Sequence, residues 1–112
     1  MKLIYVSGPY RDSTEWGRIL NIRNAEMVAI ECWQRGWAVI CPHKNTEHFG
    51  GILPDQAWMD GDLEMIRRCD AMCMVEGWKT SEGAKLERAE AKRIGIPIYE
   101  NAWKVPCESK KE

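Results

Sequence analysis

The sequence predicts an α/β fold, a single-domain, flavodoxin- or Rossmann-like three-layer sandwich built on a mainly parallel sheet of four or five strands. Short β-favouring apolar runs alternate with stretches of helical periodicity from the first residues to about residue 99, the pattern of strand-helix crossovers. The first run, Lys2-Leu-Ile-Tyr-Val-Ser7, is close to continuously apolar, as expected of a parallel strand covered on both faces. The chain has 112 residues, enough for one core and too few for a second.

Each element has a local reason. The first strand spans residues 2–7 and stops at Gly8-Pro9. Asp12, Ser13 and Thr14 are N-cap candidates for a helix over about 14–35, which places Ile22, Ala25, Ala29, Cys32 and Trp33 on one face. Gly36 ends it at the position that favours a left-handed residue. Residues 37–41 form the second strand, closed by Pro42, and a long loop to Pro54 carries His43, Lys44, Asn45, His48 and Gly50-Gly51; such length suits a lid or rim. A second helix over about 55–68 turns Met59, Leu63 and Ile66 inward, with Asp62 bordering that face. Residues 70–75 are the third strand, a helix spans about 82–94, and Gly95 precedes a fourth strand over 96–99, where Pro97 indicates an edge or a strand start. The domain is expected to cover residues 1–100, with 101–112 a C-terminal tail of frayed composition.

Composition narrows the function classes. A net charge of −1 offers no basic footprint for a nucleic-acid polymer or an anionic membrane. No apolar run approaches the ~20 residues of a membrane span. The five cysteines contain no CxxC pair and no signal peptide precedes them, so reduced thiols in a cytoplasmic protein are expected. Cys41, His43 and His48 match no zinc framework, and no metal or cofactor is expected. The expected partner is a small molecule. Six tryptophans in so short a chain also suggest apolar surface covered by a second copy, hence a homodimer or higher homo-oligomer.

The stretch with most chemical content is Ser81-Glu-Gly83-Ala-Lys-Leu-Glu87. Helical spacing sets Glu87 on the face of Ala84, Ala91 and Ile94, which should pack on the sheet. Ser81 and Gly83 sit where free backbone N–H groups and the helix dipole suit an anion. The same residues also fit an ordinary N-cap, a turn glycine and a carboxylate on the helix flank. In parallel sheets ligands gather beyond the carboxyl ends of the strands. Those ends hold Ser7 to Arg11, Pro42 to Asn45, Gly77 to Gly83 and the residues after Tyr99. His43 lies in the second of these segments, where it would reach a ligand or stay on the surface.

Three patches, Tyr5-Val-Ser-Gly8-Pro-Tyr-Arg11, Asp62-Leu-Glu-Met-Ile-Arg-Arg-Cys-Asp70 and Ser81 to Glu87, in that order and spacing, resemble the nucleoside 2-deoxyribosyltransferase superfamily. The likeness is to its deoxynucleoside 5′-monophosphate N-glycosidase branch and to small bacterial and phage deoxyribosyltransferase-like proteins, and it covers about residues 3–99. The resemblance implies a pocket lined by Tyr5, Gly8, Tyr10 and Arg11, an aspartate, Asp62, presented to the base, a phosphate site at Ser81 and Gly83, and Glu87 as nucleophile. The implied reaction is cleavage of the N-glycosidic bond of a deoxynucleotide or deoxynucleoside, or transfer across it, through a covalent deoxyribosyl intermediate, with Tyr5 holding Glu87 through its hydroxyl. A catalytically silent nucleotide-binding module, and a glycosidase acting on NAD or ADP-ribose, are the alternatives, since a scaffold does not dictate a function.

Overall fold

The computed structural model describes residues 1–108. In chain order its elements are β1 (Leu3–Ser7), α1 (Glu15–Gln34), β2 (Ala38–Ile40), α2 (Pro42–Asn45), α3 (Asp55–Arg67), β3 (Ala71–Met74), α4 (Glu82–Ile94) and β4 (Ile98–Tyr99), with short 3₁₀ turns at Trp78–Thr80 and Ala102–Lys104. The strands form one all-parallel sheet in the order β2-β1-β3-β4. Strand order therefore reverses between β1 and β3, which makes their carboxyl ends the crevice where such sheets receive ligands. Pro97 precedes β4, an edge strand, in keeping with its missing N–H.

Side-chain alternation divides β1 between two cores. Ile4 packs with Cys32, Ala71 and Cys73, and Val6 with Ala25, Ala29 and Val75, on the α1 side. Tyr5 packs with Ile66, Met72, Met74 and Ala91 beneath α3 and α4. The sheet is thus the middle of three layers. Thr14 caps α1 by accepting from the Gly17 N–H, and Gly36, at φ +92°, terminates it as expected.

Three expectations are corrected. The stretch after Pro42 is not wholly loop, because Pro42 starts the single helical turn α2, a position where its missing N–H costs nothing. Trp33 does not face the core and is 55% exposed; Cys32 and Ala29 fill the contact with the sheet, and Trp33 lies to one side of them. The tail is not frayed over residues 101–108. Only α1 covers its side of the sheet, and Ala102 and Val105 fill the remaining gap beside Ile4, Ala71 and Cys73. Trp37 Nε1 donates to the Pro106 carbonyl at 2.8 Å, and Arg35 Nη1 to the Val105 carbonyl at 2.8 Å. The rest of the expected tail, 109–112, lies outside the described residues.

Candidate active site

The site begins with the pleat of β1. Residues two apart point to the same face of a sheet, so Tyr5 and Ser7 both face α4, and Glu87 comes down from α4 to meet them. Tyr5 Oη donates to Glu87 Oε2 at 2.8 Å and Ser7 Oγ donates to Glu87 Oε1 at 2.7 Å. Tyr5 and Ser7 are fully buried and Glu87 is 6% exposed. A carboxyl group so placed requires partners, and each of its oxygens has one.

Asp62 on α3 is the fourth member, within interaction distance of the Glu87 carboxyl. Burial raises the Glu87 carboxyl to about 7, against the opposing pull of the Ser7 and Tyr5 hydroxyls and with further upward pressure from Asp62. Burial likewise raises Asp62 to about 6. Two neighbouring carboxyls of this kind titrate as a unit. The hydroxyls aimed at Glu87 favour charge on it and oppose the effect of burial, and the pair holds a shared proton near neutral pH. Burial, reinforced by the Glu87 charge, holds the Tyr5 phenol well above its ordinary value, so it is a donor at neutral pH.

The crevice walls follow from close approach. A Cβ on Gly8 would lie 2.4 Å from Val75 Cβ, so only glycine lets β1 leave the sheet beside β3. Gly77 sits at φ +92°, and a Cβ there would meet Pro9, which brings the turns after β1 and β3 together. Ser81 caps α4, its hydroxyl accepting from the Ala84 N–H at 3.1 Å. A Cβ on Gly83 would meet only Met59 Cε, at an ordinary 3.5 Å, so the fold itself does not require glycine there.

The other expected residues divide. Arg11 reaches across to Asp55 at the start of α3, 2.7 Å away, with both side chains largely exposed. Tyr10 lies edge-on to His43, ring centroids 5.6 Å apart. His43 is buried rather than on a rim, and its Nε2 donates to the Pro9 carbonyl at 2.7 Å. Burial holds its pKa below the ordinary value, so the ring is neutral and braces the turn after β1, and its buried Nδ1 has no partner among the described residues. Trp78 carries the Arg88 guanidinium 4.5 Å above its ring. Ser7 was not singled out from the sequence, although its spacing of two from Tyr5 was the signal that could have found it.

Surface hollows of about 230 and 300 Å³ lie elsewhere, one between α1 and the stretch after β2, the other where α1 meets Val75, Glu76 and Gly77. No group of three metal-ligating side chains occurs among the described residues, and no helix among them is long and apolar enough to cross a membrane.

No curated protein matches the chain. One family model, a domain of unknown function designated DUF4406, matches residues 2–100, from the start of β1 through β4 and every residue of the site. The chain belongs to the DUF4406 family.

Proposed function

We propose that the protein cleaves the N-glycosidic bond of a 2′-deoxynucleotide or deoxynucleoside through Glu87. The observation that carries this reading is the buried Glu87 carboxyl, held at both oxygens by Tyr5 and Ser7 beside Asp62 at the β1/β3 crevice. Departure of a base develops positive charge at C1′, which a fixed carboxylate stabilises and captures. In the first step Glu87 forms a C1′–O bond as the C1′–N bond breaks, and Asp62 gives its proton to the leaving base. Water then attacks C1′, releases Glu87 as carboxylate and returns a proton to Asp62. A second base in place of water makes the same chemistry a transfer. Ser81, Gly83 and the start of α4 are the place for a 5′-phosphate, and Tyr10 and Arg11 flank the sugar side.

The experiment is chromatography of free base released from deoxynucleosides, their 5′-monophosphates, the ribo-equivalents and NAD, comparing the wild type with Glu87→Gln. Release lost in the variant supports the reading, and the best substrate names the branch. NAD cleaved in preference to every deoxynucleotide would move the assignment to an ADP-ribosyl substrate. The near-complete cover over Glu87 favours one second reading, a silent nucleotide-binding module; saturable nucleotide binding with no base released would establish it.

A further inference from the structure

The outer face of α1 does not suit a solvent-exposed helix. Trp16, Ile19, Ile30 and Trp33 are 65%, 36%, 56% and 55% exposed, and Leu20 and Met27 are exposed beside them. Residues 16, 19, 23, 26, 30 and 33 are spaced 3-4-3-4-3, the a/d repeat that lays one stripe along a helix. Along this stripe the side chains read Trp-Ile-Arg-Glu-Ile-Trp, the same in both directions except that its centre pairs Arg23 with Glu26. We propose that this stripe is the interface of a twofold dimer in which two α1 helices pack antiparallel.

A twofold axis through the middle of the stripe sets Trp16 against the partner's Trp33, Ile19 against the partner's Ile30 and Arg23 against the partner's Glu26. Antiparallel helix pairs stack a positions on d positions, the relation these pairs have. A self-complementary patch is what an isologous dimer requires. The central charges are reciprocal, so one arrangement forms two ion pairs between chains, whereas a parallel pairing would oppose like charges. Within one chain Arg23 reaches Glu26 only at 3.4 Å, while Lys44 Nζ lies 2.6 Å from both Glu26 and Glu47 and leaves Arg23 the longer contact. Glu26 and Glu47 both line the hollow of about 230 Å³ beside the stripe, which has room for the partner's guanidinium. The exposed apolar side chains present roughly 700 Å² per chain, close to the ~800 Å² per partner of a stable interface. The interface starts one turn from the Tyr10–Thr14 segment, which Asn21 of α1 ties down by donating to the Tyr10 carbonyl at 3.2 Å. It is independent of the chemistry assigned to Glu87.

Sedimentation velocity on the full chain tests it. The wild type should run at twice its 12.9 kDa mass. Arg23→Glu and Glu26→Arg should each weaken self-association by on the order of tenfold or more, because each sets like charges against one another across the axis. An equimolar mixture of the two should regain the dimer mass, since the two variants complement each other only between chains. Ile30→Lys, at an exposed position, should be monomeric with an unchanged circular dichroism spectrum. A monomeric wild type, a dimeric Ile30→Lys, or a mixture that stays monomeric overturns the proposal. Wild-type monomer that binds anionic phospholipid vesicles would also overturn it and give the stripe to a membrane surface.

Discussion

The two faces of β1 differ in what their side chains meet. Towards α1, Ile4 and Val6 pack into apolar clusters. Towards α3 and α4, Tyr5 and Ser7 meet a carboxyl group. Backbone, burial and strand are the same on both sides, so the difference lies in what the side chains are for. An apolar contact stabilises through area removed from water, about 25 cal/mol per Å². A buried carboxyl gains little net stability even when fully paired, and this one is held partly protonated at neutral pH. A cluster that adds so little stability and is yet so fully satisfied makes a candidate site.

That contrast can be broken in measurable ways. The largest effect expected is on base release by Glu87→Gln, a loss of about 10³-fold or more with the fold intact; circular dichroism and chromatography together check it. On the opposite face, Ile4→Ala should cost about 2–4 kcal/mol in urea unfolding and leave turnover per folded molecule unchanged. If it abolished turnover, the two faces would not be separable. Tyr5→Phe should lower turnover by about 10–100-fold. Because the Tyr5 hydroxyl lowers the Glu87 pKa, its removal should also move the acid limb of the pH–rate profile upward, a shift that a merely structural tyrosine would not produce.

A fourth outcome concerns pH. The Glu87 carboxyl rises from 4.5 to about 7 on folding, so between those values the folded state holds more protons than the unfolded one. Stability should then fall as pH rises through that window. Glu87→Gln removes the titration and should gain on the wild type by on the order of 1–3 kcal/mol between pH 5 and pH 8. Thermal melts at both pH values check this, and a pH-independent difference would refute the burial of charge at Glu87. The smallest effect is at Gly83. Gly83→Ala should stabilise α4 by about 0.5–1 kcal/mol, since the fold accommodates the methyl group. It should also raise KM for 5′-monophosphates over the matching nucleosides if the helix start receives phosphate.

Local rules made much of this legible before any coordinates. The alternation of elements, the caps at Thr14 and Ser81, and the inward face shared by Ala84, Glu87 and Ala91 follow from spacings of two, three and four, which act within a few residues. The Tyr5–Glu87 contact was expected only from a family likeness. Trp33 was misplaced because α1 is apolar on two sides, and periodicity alone does not say which side meets the sheet.

By itself the sequence determined the α/β fold and the spans of the three long helices, and it offered an edge position for β4 and a buried Glu87 as one of two readings each. Tertiary structure alone decided that Ser7 is the second donor to Glu87, that Asp62 shares its environment, that His43 turns inward to brace Pro9, and that residues 101–108 close the α1 side of the sheet. The hydrogen-bonded contacts among them join residues from 34 to 80 positions apart. They depend on strand order and register, which the packing of the whole chain selects, whereas helix and strand periods are set by neighbouring peptide units.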